Sequence, residues 1–416
     1  MKLVFLPFLL TVGFLSPAGA SVELVSPVDG ETIPLLPEAQ KQILAIPTYE
    51  GRLAALRADK DVKKTYFKDK SNKWRVSIPL TLKWKTTKGE RGPWKLVVGR
   101  KSDLSDAKPY WLESKQATRE DGDGFALWTY RLERANLELG RVYYWKVWSD
   151  VKCPEYDHGS TIGKDCCKSG KRSSESGIAS FRSEDQAPRW IAIEGRVRNI
   201  RDLGGWRTRD GKRVKQGMVF RGEGLNDNSV NGERRGRNRL TVEDVRFFTE
   251  ELGIRTDLDL RNKREISDLG KSPLGEKVTF VPHSSAAYAG IFDVHGKKVM
   301  AENIRLFCDE KNYPIYFHCI GGADRTGSLA YVLNGILGVE RHDLETDWES
   351  TFYPVLPELE SGYSGENYWR LEQHFNRGFE KYGTKETSWN DRIKLYLLDC
   401  GVTEEEIAKI RSILLE

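Results

Sequence analysis

The sequence predicts a multidomain protein in which an N-terminal all-β sandwich is followed by an α/β domain with a central sheet flanked by helices. A chain of 416 residues is too long for one typical hydrophobic core. Its first half contains several strand-like runs between turn residues. Its second half contains a short apolar run followed by a glycine-rich turn and a helix-like run. The polar segment 183–188, which ends in a proline, separates these regions and is the predicted boundary.

The sandwich is predicted for residues 21–185, because aromatic and β-branched residues recur there in short runs. The clearest runs are 76–84, 94–98, 125–132 and 142–148. Together with the final run 179–182 they resemble a fibronectin type III or related immunoglobulin-like module, which implies binding of a protein or a glycan. The tryptophans from Trp74 to Trp148 are interpreted as core residues, with a sugar-binding face as the alternative. A helix-like stretch at 37–56 has no place in this scheme.

Residues 1–20 have the pattern of a secretory signal peptide. Lys2 precedes an apolar run from Leu3 to Leu15, and small residues occupy 18–20, where a signal peptidase would cleave. The apolar run is too short to span a bilayer. The mature protein is therefore predicted to begin near Ser21 and to be exported, either to the periplasm or to the outside of the cell.

Composition and charge exclude several classes of function. With 39% hydrophobic and 31% charged residues, the chain has the composition of an ordinary globular protein. Its formal net charge of +5 is small for this length, so no nucleic-acid partner is predicted. No stretch after the leader approaches the apolar length of a membrane span, so no integral membrane segment is predicted.

The most informative motif places His318 and Cys319 at the end of a strand-like run and Arg325 at the start of a helix-like one. Glycines between them let the backbone curl, so that successive N–H groups point at one centre beside the positive end of the helix dipole. Arg325 supplies a planar fork for two phosphoryl oxygens, and Cys319 would lie beneath the phosphorus as a thiolate. The residues predicted to bind phosphate are Ile320, Gly321, Gly322, Ala323, Asp324 and Arg325.

This spacing of His-Cys, five residues, Arg, Thr and Gly resembles the cysteine-based protein tyrosine phosphatase superfamily. Other stretches resemble successive motifs of its bacterial tyrosine-phosphatase-like branch, namely 199–205, 219–221, 254–261, 382–383 and 398–415. The resemblance covers residues 189–416 and implies an α/β phosphatase domain. It also implies a phosphomonoester hydrolase in which Cys319 forms a cysteinyl-phosphate, with no metal or cofactor.

The same resemblance implies roles for the neighbouring side chains. His318 is expected to orient the loop and to help keep the thiol ionised, and the Thr326 hydroxyl to stabilise the departing thiolate. Asp324 is the first candidate for the acid that protonates the leaving oxygen. Asp293, on a stretch that can close over the substrate, is the alternative. Asp259 and Arg261 are interpreted as a structural pair.

The substrate is predicted to be protein phosphotyrosine, with dual specificity open. The bacterial branch often has lysine at the position of Ala323, and that lysine is associated with phosphoinositide activity. Phosphoinositides, phosphoserine and small organic phosphates remain alternatives. A catalytically weak secreted module that binds a phosphorylated ligand or a glycan, and a sulfurtransferase, are alternatives of other classes. The arginine-rich run 234–239 is interpreted as a solvated loop, with recruitment of an anionic substrate as the alternative.

The remaining cysteines fall into two groups with different expected chemistry. Cys153, Cys166 and Cys167 cluster in a polar insertion and are candidates for a disulfide in an exported protein. Cys308 and Cys400 are interpreted as buried free thiols. The alternative is that one of them resolves an oxidised Cys319.

Overall fold

The computed structural model describes residues 22–48, 51–52, 54–55, 77–133, 135–149, 174–191, 193, 197–226, 240–266, 269–351 and 370–416. The predicted signal peptide lies outside the described residues. So do the cluster of Cys153, Cys166 and Cys167 and the arginine-rich run 234–239. The described residues form two compact units. Within them, no helix has the length and apolar character needed to cross a membrane.

The chain passes from one unit to the other at several places, one of them between Ser183 and Glu184. Unit 1 comprises the described residues within Met1–Ile33, Pro79–Leu132 and Arg141–Ser183. Unit 2 comprises those within Pro34–Ile78, Glu133–Gly140 and Glu184–Glu416. The stretch 37–56 contains helix α1, Glu38–Leu44, and its described residues belong to unit 2 although they lie in the chain between strands of unit 1.

Unit 1 is rich in strands, as predicted. Its strands are β1 Val22–Ser26, β2 Glu31–Ile33, β3 Leu80–Thr87, β4 Trp94–Gly99, β5 Lys108–Leu112, β6 Thr118–Asp121, β7 Phe125–Leu132, β8 Val142–Ser149 and β9 Ala179–Ser183. They form a four-stranded sheet in the order β1-β3-β7-β6 and a five-stranded sheet in the order β2-β9-β8-β4-β5. The pair of β2 and β9 is parallel, whereas the other pairs in these sheets are antiparallel. Side chains of β3 alternate between buried and half-buried, as a two-faced sheet requires.

Tryptophans from both sheets form the core of unit 1. The Trp94 ring of the five-stranded sheet lies 5.3 Å from that of Trp84 and 5.0 Å from that of Trp128, both in the four-stranded sheet. These three side chains and Trp145 are buried, which agrees with their interpretation as core residues. The half-buried Trp111 instead has the Lys95 ammonium over its ring at 5.3 Å, so it makes a cation–π contact.

Unit 2 contains a six-stranded sheet in the order β10-β11-β12-β15-β13-β14. Its strands are β10 Arg189–Trp190, β11 Arg201–Asp202, β12 Val219–Gly222, β13 Thr256–Asp259, β14 Thr279–Pro282 and β15 Ile315–His318. The four strands from β12 to β14 in this order are parallel. Every residue of the central strand β15 is buried. This arrangement confirms an α/β domain with a central sheet.

Helices complete unit 2. They are α2 Val242–Arg246, α3 Lys263–Ile266, α4 Val294–Leu306, α5 Asp324–Leu337, α6 Arg341–Ser350, α7 Arg377–Glu380, α8 Trp389–Asp399 and α9 Glu404–Leu414. Two π-helical turns, Phe247–Glu251 and Arg370–Asn376, adjoin α2 and α7. Helix α5 is buried from Thr326 to its end, and Gly338, with φ of 95°, terminates it in the left-handed conformation. In a parallel sheet of this kind, ligands bind at the carboxyl ends of the strands, where α5 begins.

Candidate active site

The predicted loop lies between the carboxyl end of β15 and the first turn of α5. Cys319 follows the strand directly and is 2% exposed. Gly322 has φ of +68°, and a Cβ added there would lie 2.5 Å from the carbonyl carbon of Gly222. Because L side chains rarely adopt this conformation and there is no room for a methyl group, position 322 requires glycine. The tight curl that the sequence predicts is therefore present.

Neighbouring segments hold the carbonyl groups of this loop. The Gly224 amide donates to the Ile320 carbonyl at 3.1 Å. Asn199 Nδ2 donates to the carbonyls of Gly321 and Gly322 at 3.1 and 3.0 Å. In contrast, the N–H groups of residues 320–323 donate to no acceptor in the described part of the chain. The first turn of α5 also has no side-chain cap. The loop therefore presents unused N–H donors, as an anion-binding nest does.

A buried charge network supports the loop from behind. Asp347 on α6 accepts from Arg201 Nε at 2.8 Å and from Arg221 Nη1 at 2.6 Å. Burial opposes ionisation of Asp347, but the two arginines hold its pKa below the usual value. Arg221 Nη2 also donates to the Gly322 carbonyl at 2.9 Å, and Arg201 donates to the Asn199 side-chain oxygen. The network thus fixes Asn199 and Arg221, two of the groups that hold the loop carbonyls.

His318 carries a positive charge next to the nucleophile. Its Nε2 lies 2.9 Å from an Asp257 carboxylate oxygen, and its Nδ1 lies 3.2 Å from the Cys319 carbonyl oxygen. Both neighbours are acceptors, so both ring nitrogens must carry hydrogen to satisfy them. Burial disfavours the imidazolium, yet Asp259 and Asp257 raise its pKa above the ordinary value. The contact with the Cys319 carbonyl joins the His318 ring to the start of the loop.

Arg325 is held by a partner that the sequence did not indicate. Its Nη1 donates to Glu265 Oε2 at 2.6 Å and its Nη2 to Glu265 Oε1 at 3.0 Å. Burial opposes the charge on Arg325, but this contact and the negative charge of Cys319 raise its pKa. Glu265, on α3, therefore keeps the guanidinium charged and fixes its orientation.

A match to a known family agrees with this geometry. A model of the tyrosine phosphatase family matches residues 192–416. The chain belongs to the tyrosine phosphatase family. Among solved structures, the core catalytic domain of the PP-IP phosphatase SIW14 from S. cerevisiae, in complex with citrate, is similar at 13% identity. The alignment covers 37% of this chain and 79% of that one, with a TM-score of 0.24. No curated protein matches the chain.

The two candidate acids of this phosphatase occupy different positions. Asp324 is the first residue of α5, within the loop, and accepts a hydrogen bond from the Tyr288 hydroxyl. Asp293 is exposed and is the N-cap of α4, where its Oδ1 accepts from the Gly296 amide at 2.7 Å. No described hydrogen bond joins Asp293 to residues 319–325. Asp324 is therefore part of the loop itself, whereas the described hydrogen bond of Asp293 caps α4.

Thr326 at the start of α5 has a buried hydroxyl. Its side chain is fully buried, and its hydroxyl has no hydrogen-bond partner in the described part of the chain. A buried hydroxyl without a partner loses its bonds to water, so a group that binds during the reaction can compensate for that loss.

The other cysteines of unit 2 differ from Cys319. Cys308 and Cys400 are free thiols, and burial raises the pKa of both, to about 11 for Cys400. The Cys308 thiol donates to the Glu406 carbonyl oxygen at 3.7 Å. Both are free thiols, as interpreted from the sequence, but they are half-buried rather than buried. Neutral thiols are poor nucleophiles.

Several site residues were missed by reasoning from the sequence. Glu265, Tyr288 and Asp347 received no role, and Asn199 was part of a motif without an assigned function. One signal was available. The predicted strand 254–261 ends at Arg261, and the acidic residue Glu265 comes four positions after that end. Arg261 itself pairs with Asp259 at 2.5 Å, as interpreted from the sequence.

Proposed function

We propose that this protein is a phosphomonoester hydrolase that acts through a cysteinyl-phosphate, and that its substrates are phosphotyrosine residues of proteins, with dual specificity included. The observation that carries the proposal is the loop 319–325. It combines a cysteine beside an imidazolium, a set of unused N–H donors and a fixed guanidinium. These groups match a phosphate monoester dianion, whose three non-bridging oxygens become equatorial in the transition state.

In the first step, the Cys319 thiolate attacks phosphorus. The sulfur–phosphorus bond forms while the ester oxygen–phosphorus bond breaks, and Asp324 gives its proton to the leaving oxygen. The loop amides and Arg325 bind the equatorial oxygens, where negative charge is spread in the transition state. In the second step, water attacks the phosphoryl group and loses a proton to Asp324. The thiolate then departs, and the Thr326 hydroxyl donates to it.

Asp324 is the acid in this proposal because of where it lies. A general acid must be within hydrogen-bond reach of the leaving oxygen, and Asp324 belongs to the loop that binds the phosphate. Asp293 already accepts the Gly296 amide as a helix cap. Tyr288 donates to the Asp324 carboxylate and thereby holds its orientation.

The choice of a protein substrate rests on position 323. Ala323 adds no charge to the loop, so Arg325 is the cation among its residues 319–325. A phosphotyrosine carries one phosphate, which these groups can satisfy. A phosphoinositide or another polyphosphorylated small molecule carries additional anionic groups, for which a second cation would be expected.

A substrate panel tests this proposal. Catalytic efficiency would be measured with phosphotyrosine peptides, phosphoserine peptides, phosphoinositides and inositol phosphates, with Cys319→Ser as the blank. We expect the highest kcat/KM for phosphotyrosine peptides. Faster turnover of inositol phosphates would overturn the proposed phosphotyrosine substrate but would still support hydrolase activity. If phosphate is released from none of these substrates, the proposal that the protein is a hydrolase is wrong.

We further propose that the enzyme is exported and that unit 1 is a fibronectin type III-like module that binds a protein or a glycan. The apolar leader supports export, and the two-sheet arrangement supports the module. Detection of the full-length precursor in the cytoplasm, with no shortened exported form, would contradict this part of the proposal.

A further inference from the structure

An arginine from the insertion between β2 and β3 is buried in unit 2. Arg52 is 1% exposed and Glu349 on α6 is 6% exposed. Arg52 Nε donates to Glu349 Oε2 at 2.5 Å, and Nη2 donates to Oε1 at 2.9 Å. The third nitrogen, Nη1, donates to the Ile46 carbonyl at 2.7 Å. The guanidinium thus joins its own segment to helix α6.

Local contacts within the segment direct the Arg52 side chain toward α6. We call its described residues 46–48 and 51–52 the Arg52 segment. The Arg52 amide donates to the Thr48 carbonyl at 3.0 Å, which closes the turn. A Cβ at Gly51 would lie 2.7 Å from Ile46 Cγ2, so glycine allows this close approach. The local sequence therefore folds back on itself and directs Arg52 toward α6.

The contact partner lies two residues from the centre of the loop-supporting network. Glu349 and Asp347 are on the same helix, and Asp347 holds Arg221 and Arg201. Arg221 donates to the Gly322 carbonyl. Arg201 holds Asn199, which donates to the same carbonyl. A shift of α6 would therefore move the groups that orient the phosphate-binding loop.

We propose that Arg52 is a positioning residue for catalysis. By fixing α6 through Glu349, it holds the loop 319–325 in the shape that binds a phosphoryl group. This inference rests on the proposed function, because it concerns the same loop. A lysine cannot replace Arg52, since a single ammonium cannot make the two parallel hydrogen bonds to the carboxylate and also reach Ile46.

The first experiment compares Arg52→Ala and Arg52→Lys with Lys41→Ala. Lys41 lies in the same insertion and pairs with Glu184 at 2.9 Å, away from α6, so it is the matched control. For Arg52→Ala we expect kcat on an aryl phosphate to fall by roughly 10- to 100-fold, because small misplacements of reacting groups have effects of this size. Vanadate binding should weaken in parallel, with Arg52→Lys intermediate and Lys41→Ala unchanged.

The double variant Arg52→Met with Glu349→Leu separates positioning from stability. It removes both charges of the pair, so neither is left buried without the other and the fold should recover most of its thermal stability. If Arg52 positions the loop, kcat and vanadate affinity of the double variant remain low. Recovery of both to wild-type values would overturn the inference, and so would unchanged kinetics in Arg52→Ala. Wild-type turnover in the same assays distinguishes these outcomes from failure of the proposed function.

Discussion

Glu265 and Arg325 face each other in a two-point ion pair, with Nη1 to Oε2 at 2.6 Å and Nη2 to Oε1 at 3.0 Å. A guanidinium has five N–H donors. Glu265 takes two of these, and the Leu260 carbonyl lies 3.5 Å from Nη1. Among the described residues no acceptor takes the Nε–H or the second Nη2–H, and these two form a fork for two phosphoryl oxygens. Glu265 therefore directs the free edge of Arg325 without occupying it.

Replacing Glu265 tests this arrangement. In Glu265→Gln the amide group cannot accept at both positions, so Arg325 loses its fixed orientation. We expect kcat/KM on an aryl phosphate to fall by roughly 10- to 100-fold. Glu276→Gln is the matched control, because Glu276 forms an exposed ion pair with Lys271 at 2.9 Å in the same unit. Equal kinetic constants for the two variants would show that Glu265 has no positioning role.

Leaving-group dependence identifies the acid. Asp324→Asn should lose little rate on an ester with a good leaving group, such as a nitrophenyl phosphate. It should lose roughly 100-fold or more on an alkyl phosphate, which needs the proton. Asp293→Asn should retain both rates, because asparagine caps a helix about as well as aspartate. The assignment is wrong if the steeper dependence appears in the Asp293 variant.

The stability that His318 contributes should depend on pH in a defined direction. Since the pKa of His318 is raised from its ordinary 6.5, the folded protein keeps a proton that the unfolded chain loses. The contribution is complete below pH 6.5 and disappears as the pH rises through the higher folded-state pKa. The free energy of unfolding of the wild type minus that of His318→Gln should be about 1.5–3 kcal/mol at low pH and decline above it. A difference that grows with pH would contradict a protonated His318 ring in the folded protein.

Two adjacent glycines provide a matched pair for the loop shape. Gly322 has φ of +68° and no space for a Cβ, whereas a Cβ at Gly321 would meet nothing within 4 Å. Gly322→Ala should therefore abolish vanadate binding and lower the free energy of unfolding by at least about 1–2 kcal/mol, the cost of the left-handed conformation alone. Gly321→Ala should retain both properties. Thermal unfolding with and without vanadate measures them together, and equal behaviour of the two variants would exclude the curl at Gly322 as the binding element.

The features that could be predicted from the sequence are those formed by residues close together in the chain. Strand β15, the curl at Gly322 and the start of α5 are contiguous, so their spacing alone indicates a strand, an anion-binding loop and a helix. His318 was identified in the same way, because it directly precedes Cys319 in the chain. The core residues of the sandwich could also be predicted, because the alternation of residue types along runs such as β3 indicates which side chains are buried.

The sequence could not show which distant groups meet at the loop. Glu265 lies 60 positions before Arg325, and Asn199 lies more than 100 positions before the glycines that it holds. Their partners depend on the order of strands in the sheet, which no local pattern encodes. Arg52 is the extreme example, because it pairs with Glu349 across 297 positions from an insertion between strands of unit 1.

The most direct test of the central claim is detection of the covalent intermediate. Wild-type enzyme would be mixed with an aryl phosphate, quenched in acid within one turnover and analysed by mass spectrometry of the peptide that contains Cys319. We predict one added phosphoryl group on the Cys319 sulfur, and none when that residue is serine and turnover is lost. Turnover with no phosphoryl group on Cys319, or at an equal rate in Cys319→Ser, would contradict the account.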